Sequence, residues 1–358
     1  KLMDKTKHRE FMPSTLNISK VLLKTAVPMA IIILIIIVPA FLGQSHTEFL
    51  YGNDLLDSAS RYSRDKLMIE EQFGQSTVVA ILVPKGDLAR ERQLHEEVKR
   101  LDHVTSILSY AGETGAVVPP EFPDEDVTKQ FYSENYARII AYTDTASEGD
   151  IAFQTVEEIQ KKAKSLYGDA FYTLGRSTNL YDMKNLTEKD NVIVNVIAVV
   201  AIFLVLLVTF KSAALPFILV LVIETGIWIN LSIPYFTGTK INFLGYLVLS
   251  TIQLGATVDY AILLTNTYLT NRKITSKHEA MKVSLGSAFK SILVSALILS
   301  TAGFALYLTS SNRYTADIGL LLGRGTLLSL TMVICFLPTL LLAFDKAIQK
   351  TTYHAEFN

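Results

Sequence analysis

Six long apolar blocks, separated by polar stretches of very unequal length, set the pattern of this chain. They run over 24–43, 191–210, 213–236, 243–269, 286–309 and 318–344. A bilayer core about 30 Å thick needs roughly 20 apolar residues in a helix, so each block predicts one membrane span. The first, TAVPMAIIILIIIVPAFLG, is longer than a signal-peptide core and lacks a small-x-small cleavage site, which makes it a permanent span. Between the first and second blocks the period changes. Alternating runs predict strands over 76–84, 104–110, 136–144 and 170–176, and helical repeats predict helices over 87–102 and 151–168. The order βαββαβ is that of a split, ferredoxin-like sandwich, a fold that carries no chemistry by itself. VVPPEFPDED (117–126), with its prolines, predicts a loop leading into a short helix.

The expected architecture is an α-helical membrane protein of six transmembrane helices, with an α/β domain inserted between the first and second spans. Its boundaries fall at 1–20 for a leading segment and 21–44 for the first span. The inserted domain follows over 45–190, a five-helix bundle over 191–345 and a tail over 346–358. Basic residues set the orientation. Lys1, Lys5, Lys7, Arg9 and Lys20 precede the first span, and Lys211 lies between the second and third. Arg272, Lys273, Lys277 and Lys282 separate the fourth and fifth, and Lys346 and Lys350 follow the sixth. The positive-inside rule makes these segments cytoplasmic and the inserted domain extracytoplasmic.

Composition sharpens the picture. Of 358 residues 50% are hydrophobic, and the mean hydropathy is +0.32, too apolar for an ordinary soluble protein. A net charge of −1 without a basic patch argues against nucleic acid as a partner. The histidines show no ligand spacing and the single cysteine, Cys335, sits in an apolar block, so neither a metal nor a disulfide framework is called for. No nucleophile elbow, phosphate-binding glycine loop or metal-ligand spacing points to an enzyme or to a cofactor.

The chemistry lies where charge is costly. In LSTIQLGATVDYAILLTNTY, Asp259 stands thirteen residues before Arg272, about 20 Å along a helix and so near the bilayer middle. Carboxylates at that depth generally face a bundle interior and mark ion or proton paths; the alternative is a carboxyl that only bonds a neighbouring helix. Tyr260 offers a hydroxyl beside it, and Gly255, one turn earlier, lets a helix or water approach. Gln253, Thr257, Thr265 and Asn266 add polar groups to the same span. Glu224 in the third span is a second intramembrane acid, open to a structural reading as a bonded neutral group. Arg324, about 30 Å along the helix from Phe344, is placed near the outer interface, either snorkelling or paired with an acid. Ser291, Ser295 and Ala302 put small residues on one face of the fifth span, a pattern for helix packing.

An α/β domain between the first two spans, four more spans, and GATVDY in the fourth together resemble one half of a transporter of the resistance-nodulation-division superfamily. Gly255-x-x-x-Asp259-Tyr260 is similar to the pattern of its MMPL branch, the exporters of lipids and hydrophobic compounds. FYTLGRSTNLYDMKNLTEKD, SILVSALILSTAGFALY and FLPTLLLAFDK look like that family's junction, fifth span and sixth-span end, so the resemblance covers nearly the whole chain. It implies that Asp259 carries protons with Tyr260 as its hydrogen-bond partner. It also implies a porter-type inserted domain and proton-driven export of a lipid or hydrophobic compound across the cell membrane. Glu224 and Arg324 gain no role from the resemblance.

The two ends of the chain echo each other. Lys1, Lys5, Thr6, His8, Glu10 and Phe11 pair with Lys346, Lys350, Thr351, His354, Glu356 and Phe357. In a superfamily built by tandem duplication this reads as the second half of a longer protein. The partners expected are then the other, N-terminal half, membrane lipids and the substrate itself. Two rival readings stand beside export: a SecD/SecF-like protein-export accessory, and a lipid-sensing membrane protein without net transport.

Overall fold

A computed structural model describes residues 15–52, 61–113 and 125–353. The proline-rich stretch 117–124 and the terminal residues that carry most of the echo lie outside these. In chain order the elements begin with α1 (Thr15–Ser45), β1 (Phe49–Leu50), α2 (Arg61–Phe73), β2 (Thr77–Pro84), α3 (Leu88–Lys99), β3 (Val104–Leu108), α4 (Tyr110–Glu113), α5 (Glu125–Phe131), β4 (Tyr136–Thr143), α6 (Asp150–Tyr167) and β5 (Tyr172–Gly175). They continue with α7 (Arg176–Phe210), α8 (Ala214–Thr237), β6 (Ile241–Asn242), α9 (Phe243–Arg272), α10 (Lys277–Thr309) and α11 (Arg313–Thr331), then a π-helical turn (Met332–Phe336), α12 (Leu337–Ala343) and α13 (Asp345–Thr351). The described residues form two compact units, one reaching Phe49 and resuming at Val192, the other Leu50–Asn191.

The first unit is helical. Six helices are long and apolar enough to cross a membrane: α1, α7, α8, α9, α10, and α11 continued through the π-turn and α12. In a bilayer core every backbone N–H and C=O must be paired within the segment, which is why β-branched runs such as IIILIIIV form helix here. The helices overrun their apolar blocks. α10 starts at Lys277 because Ala280, Met281, Ser284 and Leu285 give its first turns a buried face.

Small residues set the closest contacts. α1 turns Ala30 to the unit's main core, and a Cβ on Gly43 would lie 3.0 Å from Phe236 and Ser232 of α8. α10 and α11 meet backbone to backbone at Gly303, Gly319 and Gly323. A Cβ on Gly303 would lie 2.5 Å from Gly323 N and 2.8 Å from Gly319 O. In a membrane, where lipid is as apolar as leucine, such close packing is the main source of helix association. Ser291, Ser295 and Ala302, the stripe expected to pack, are instead exposed on α10.

The π-turn has a local cause. Pro338 has no N–H to offer and its ring would collide with the carbonyl four residues back, that of Ile334; a widened turn over Met332–Phe336 relieves the conflict.

The second unit holds a four-stranded sheet in the order β3-β4-β2-β5, antiparallel throughout. Ile81 faces Ile139 across β2 and β4, and Ala80 faces Leu174 across β2 and β5. Alternation sends Val79, Ile81, Val83, Ile139 and Ala141 into a core shared with Leu94 and Val98 of α3 and with Val156, Ile159 and Ala163 of α6. Each such aliphatic side chain contributes about 1.5–3 kcal/mol on burial. The opposite face carries Val78 and Leu174, both exposed. Asp87 caps α3 by accepting from Arg90 N at 2.9 Å.

Candidate functional site

α9 opens at Asn242, whose side chain accepts from Leu244 N at 2.8 Å, so the helix that bears the candidate residues has a fixed start. Below that cap it shows two polar faces. Gln253, Thr257 and Thr265 are buried against its own unit. Thr251, Gly255, Asp259 and Asn266 are exposed on the other side. At 3.6 residues per turn, two positions differ by about 200°, which puts Thr257 and Asp259 on nearly opposite sides. Within this unit Asp259 therefore lies outside the helix group and not in its interior. Gly255 shares that open face: a Cβ on it would meet nothing within 4 Å. Tyr260 is turned inward, buried in the core cluster with Leu264 and Tyr268.

The buried face is wired to α8 and α11. Asn230 Nδ2 donates to Gln253 Oε1 at 2.9 Å and to Leu321 O at 3.1 Å. Arg324 Nε donates to Asn230 Oδ1 at 2.6 Å, and Arg324 Nη2 to Asn230 O at 2.9 Å. Gly325 makes the room, since a Cβ there would stand 2.5 Å from Asn230 Nδ2 and 2.6 Å from Gln253 Oε1. One turn on, Thr257 donates to Gln253 O at 2.6 Å, so its 2.6 Å contact with Ser329 has the serine as donor. Arg324 thus neither snorkels away nor leans on an acid in this network; an amide and a carbonyl of α8 hold it. Asn230 itself was not singled out from sequence. Its only signal is an amide inside GIWINLS, where each polar group must find a partner.

The far end of α9 is clamped as well. Tyr268 Oη donates to Asp345 Oδ1 at 2.6 Å, Arg272 Nε reaches Oδ1 at 3.2 Å and Arg272 Nη2 reaches Oδ2 at 3.2 Å. The Arg272 and Asp345 side chains are 10% and 6% exposed, so this is a buried pair. The sequence pattern used Arg272 only as a topology marker. Glu224 is half-buried on α8 beside Trp228, one turn on. The structure brings Gln253 and Arg324 together through Asn230, and leaves Asp259 with Gly255 on a separate, open face. Among the described residues no three His, Cys, Asp or Glu side chains gather as metal ligands.

Residues 55–354 match the MMPL family. Over 147 residues the chain is 30% identical to ActII-3, a membrane protein of Streptomyces coelicolor; the match takes in 40% of this chain and 20% of that protein. SecDF in its super-membrane-facing form aligns with 96% of this chain and 41% of its own, with a TM-score of 0.47 and 12% identity. This chain therefore spans well under two thirds of the length of either.

Proposed function

The chain belongs to the MMPL family of membrane transporters, and from that premise we propose that it couples proton movement through its membrane helices to export of a lipid or other hydrophobic compound. Asp259 is the proton carrier; Tyr260, its neighbour in the chain, faces the core here, so its role as hydrogen-bond partner requires its side chain to turn toward the open face. A lone carboxylate with a tyrosine suits a proton better than a dehydrated metal ion, which prefers several oxygens.

The observation that carries the proposal is the placement of Asp259: a carboxylate inside a membrane span, on a face its own unit leaves open, one turn from a glycine with room beside it. A carboxylate turned to lipid is costly, so this face calls for a cover. We assign the cover to the corresponding span of a second six-helix repeat, the N-terminal half of the same transporter. Loading and release of the proton then rock one repeat against the other, as in other repeat-built transporters. The wiring of α9 to α8, α11 and α13 supports movement of the repeat as one body. The inserted unit is the extracytoplasmic porter domain. Its strand order, with helices after β2 and β4, supports a ferredoxin-like reading.

The test compares wild type with Asp259→Asn in the intact protein at equal membrane abundance, reading envelope lipid composition and sensitivity to hydrophobic toxic compounds. Asparagine keeps shape and hydrogen bonding but cannot carry a proton. Loss equal to a deletion is expected. Wild-type behaviour overturns proton coupling at Asp259 and favours a lipid-sensing or scaffold role.

A further inference from the structure

The chain passes between its two units twice, at Phe49–Leu50 and within α7 at Asn191–Val192. Neither crossing has slack. An extended residue spans at most about 3.6 Å, and α7 is one unbroken helix of 35 residues whose backbone bonds fix its length. What grips the chain on each side of the crossings therefore decides whether motion passes through them.

In the helical unit both crossings are held by Tyr246 of α9. The Phe49 ring meets the Tyr246 ring edge-on with centroids 5.0 Å apart, and Asn195 Nδ2 of α7 donates to Tyr246 Oη at 3.0 Å. Further contacts fix the approach to the first crossing. Thr47 Oγ1 donates to Leu231 O of α8 at 2.9 Å, Ile241 N donates to Glu48 O at 3.3 Å, and Lys240 pairs with Glu48 at 2.6 Å. Tyr246 stands in the first turns of α9, thirteen residues before Asp259 and about 20 Å from it along the same helix.

In the inserted unit the first crossing is taken up by a single carboxylate. Glu148 Oε2 accepts from Tyr51 N at 2.8 Å and from Gly52 N at 2.9 Å, while Oε1 is buried without a partner among the described residues. Bonds of this kind, with an ionised acceptor, are about twice as strong as neutral ones. The seat is close: a Cβ on Gly52 would stand 2.9 Å from Leu180 Cδ1 of α7. The Tyr51 ring packs on Phe153 at 6.4 Å, and Phe153 on Tyr181 of α7 at 6.0 Å. Glu148 directly precedes Gly149, the N-cap of α6, whose Val156 and Ile159 lie in the core under the sheet. A pull on residues 51–52 is thus delivered to the packed body of the unit.

We propose that Tyr246 and Glu148 are the two grips through which rocking of the helical unit moves the inserted unit. Tyr246 ties both crossings to the helix that bears Asp259, and Glu148 passes the first crossing on to α6. Both act through other groups and are positioning residues for transport. The assignment rests on the export reading and deepens it, naming residues to which that reading gives no part.

The experiment uses the intact protein at equal membrane abundance, with sensitivity to hydrophobic toxic compounds as the export readout and the melting temperature in micelles as the check on folding. A Gly-Ser-Gly insertion after Leu50 slackens the first crossing without removing any side chain. It should lower resistance to the level of a deletion while the melting temperature holds, and so should Tyr246→Ala and Glu148→Leu. Glu148→Gln keeps an acceptor oxygen for both amides and should rescue export. The same insertion after Gly168, in the exposed turn between α6 and β5, should leave resistance unchanged. Motion is read separately. In a Cys335→Ala background, spin labels at Ser133 and Ser311 should change separation between acidic and alkaline buffer, and the insertion after Leu50 should abolish that change. If Tyr246→Ala or Glu148→Leu does not fold, the two insertions decide the matter. Export and separation change that survive slack at Leu50, no separation change in the unslackened protein, or Glu148→Gln failing as Glu148→Leu does, overturns the inference. Asp259→Asn separates the two proposals. If it loses export while the slack protein keeps it, the proton reading stands and the grips fall. If it behaves as wild type while the slack protein loses both export and motion, the grips stand and the proton carrier lies elsewhere.

Discussion

Replacing Asn230 by leucine deletes, in one side chain, the acceptor for Arg324 and the donor to Gln253 and Leu321. A hydrogen bond to a charged group contributes about 1.5–3 kcal/mol, so this variant should lose about 2–3 kcal/mol in detergent unfolding. Adding Arg324→Leu should recover part of the loss, because an unpaired buried charge costs more than an absent pair. The Arg272 and Asp345 pair follows the same asymmetry. Removing either partner costs about 3–5 kcal/mol, while exchanging both for apolar residues costs much less.

In the inserted unit two residues of α3 make stability depend on pH in opposite senses. Burial raises the Glu91 carboxyl above its usual range despite the 2.7 Å bond from Tyr132. The fold therefore prefers it protonated, and its contribution is full below about pH 4.3 and lost as pH rises through the raised value. Burial lowers the His95 imidazole, which contacts Ser109 Oγ at 2.8 Å. Its contribution is full above about pH 6.5 and lost as pH falls through the folded value. Hydrogen-exchange protection of α3 in the intact protein should lose its alkaline decline in Glu91→Gln and its acid decline in His95→Gln. At this scale Asp259 stood out in the sequence as a carboxylate in an apolar run, but the open face on which its own unit leaves it did not. Asn230, Glu91 and Asp345 did not stand out, because their importance lies in partners that only the fold brings near.

Among elements, the α10–α11 contact depends on glycines that the sequence reading passed over in favour of a serine and alanine stripe. The spacing Gly319-x-x-x-Gly323 was present in DIGLLLGRG, but nothing in the sequence says which neighbouring helix meets it. Gly303→Ala should push α10 and α11 apart, since its Cβ would press on backbone at 2.5 Å that cannot yield. A lowered melting temperature in micelles, with Ser295→Ala as the harmless comparison, checks this. The spans and the strands over 77–84 and 136–143 were legible from periodicity and length. Helix starts were not, because polar first turns such as those of α7 and α10 continue a helix without any change in hydropathy to mark it.

For the whole molecule, the division into a helical unit and an inserted α/β unit followed from one long polar interval between apolar blocks. Which side each unit occupies is a separate prediction. In a Cys335→Ala background, a cysteine at Ser133 should react with an impermeant maleimide added to intact cells, and one at Ser276 only after the membrane is opened. The reverse pattern would invert the orientation drawn from the basic loops. The widened turn at Met332–Phe336 also bears on how this chain can be read beside its relatives. A π-turn spends an extra residue without advancing the helical phase as an α-turn does. A homologue without it aligns one position out of step on one side of the turn. Roles carried over by aligned position can hold for Arg324 and for Asp345 together only if a gap is placed within those five residues.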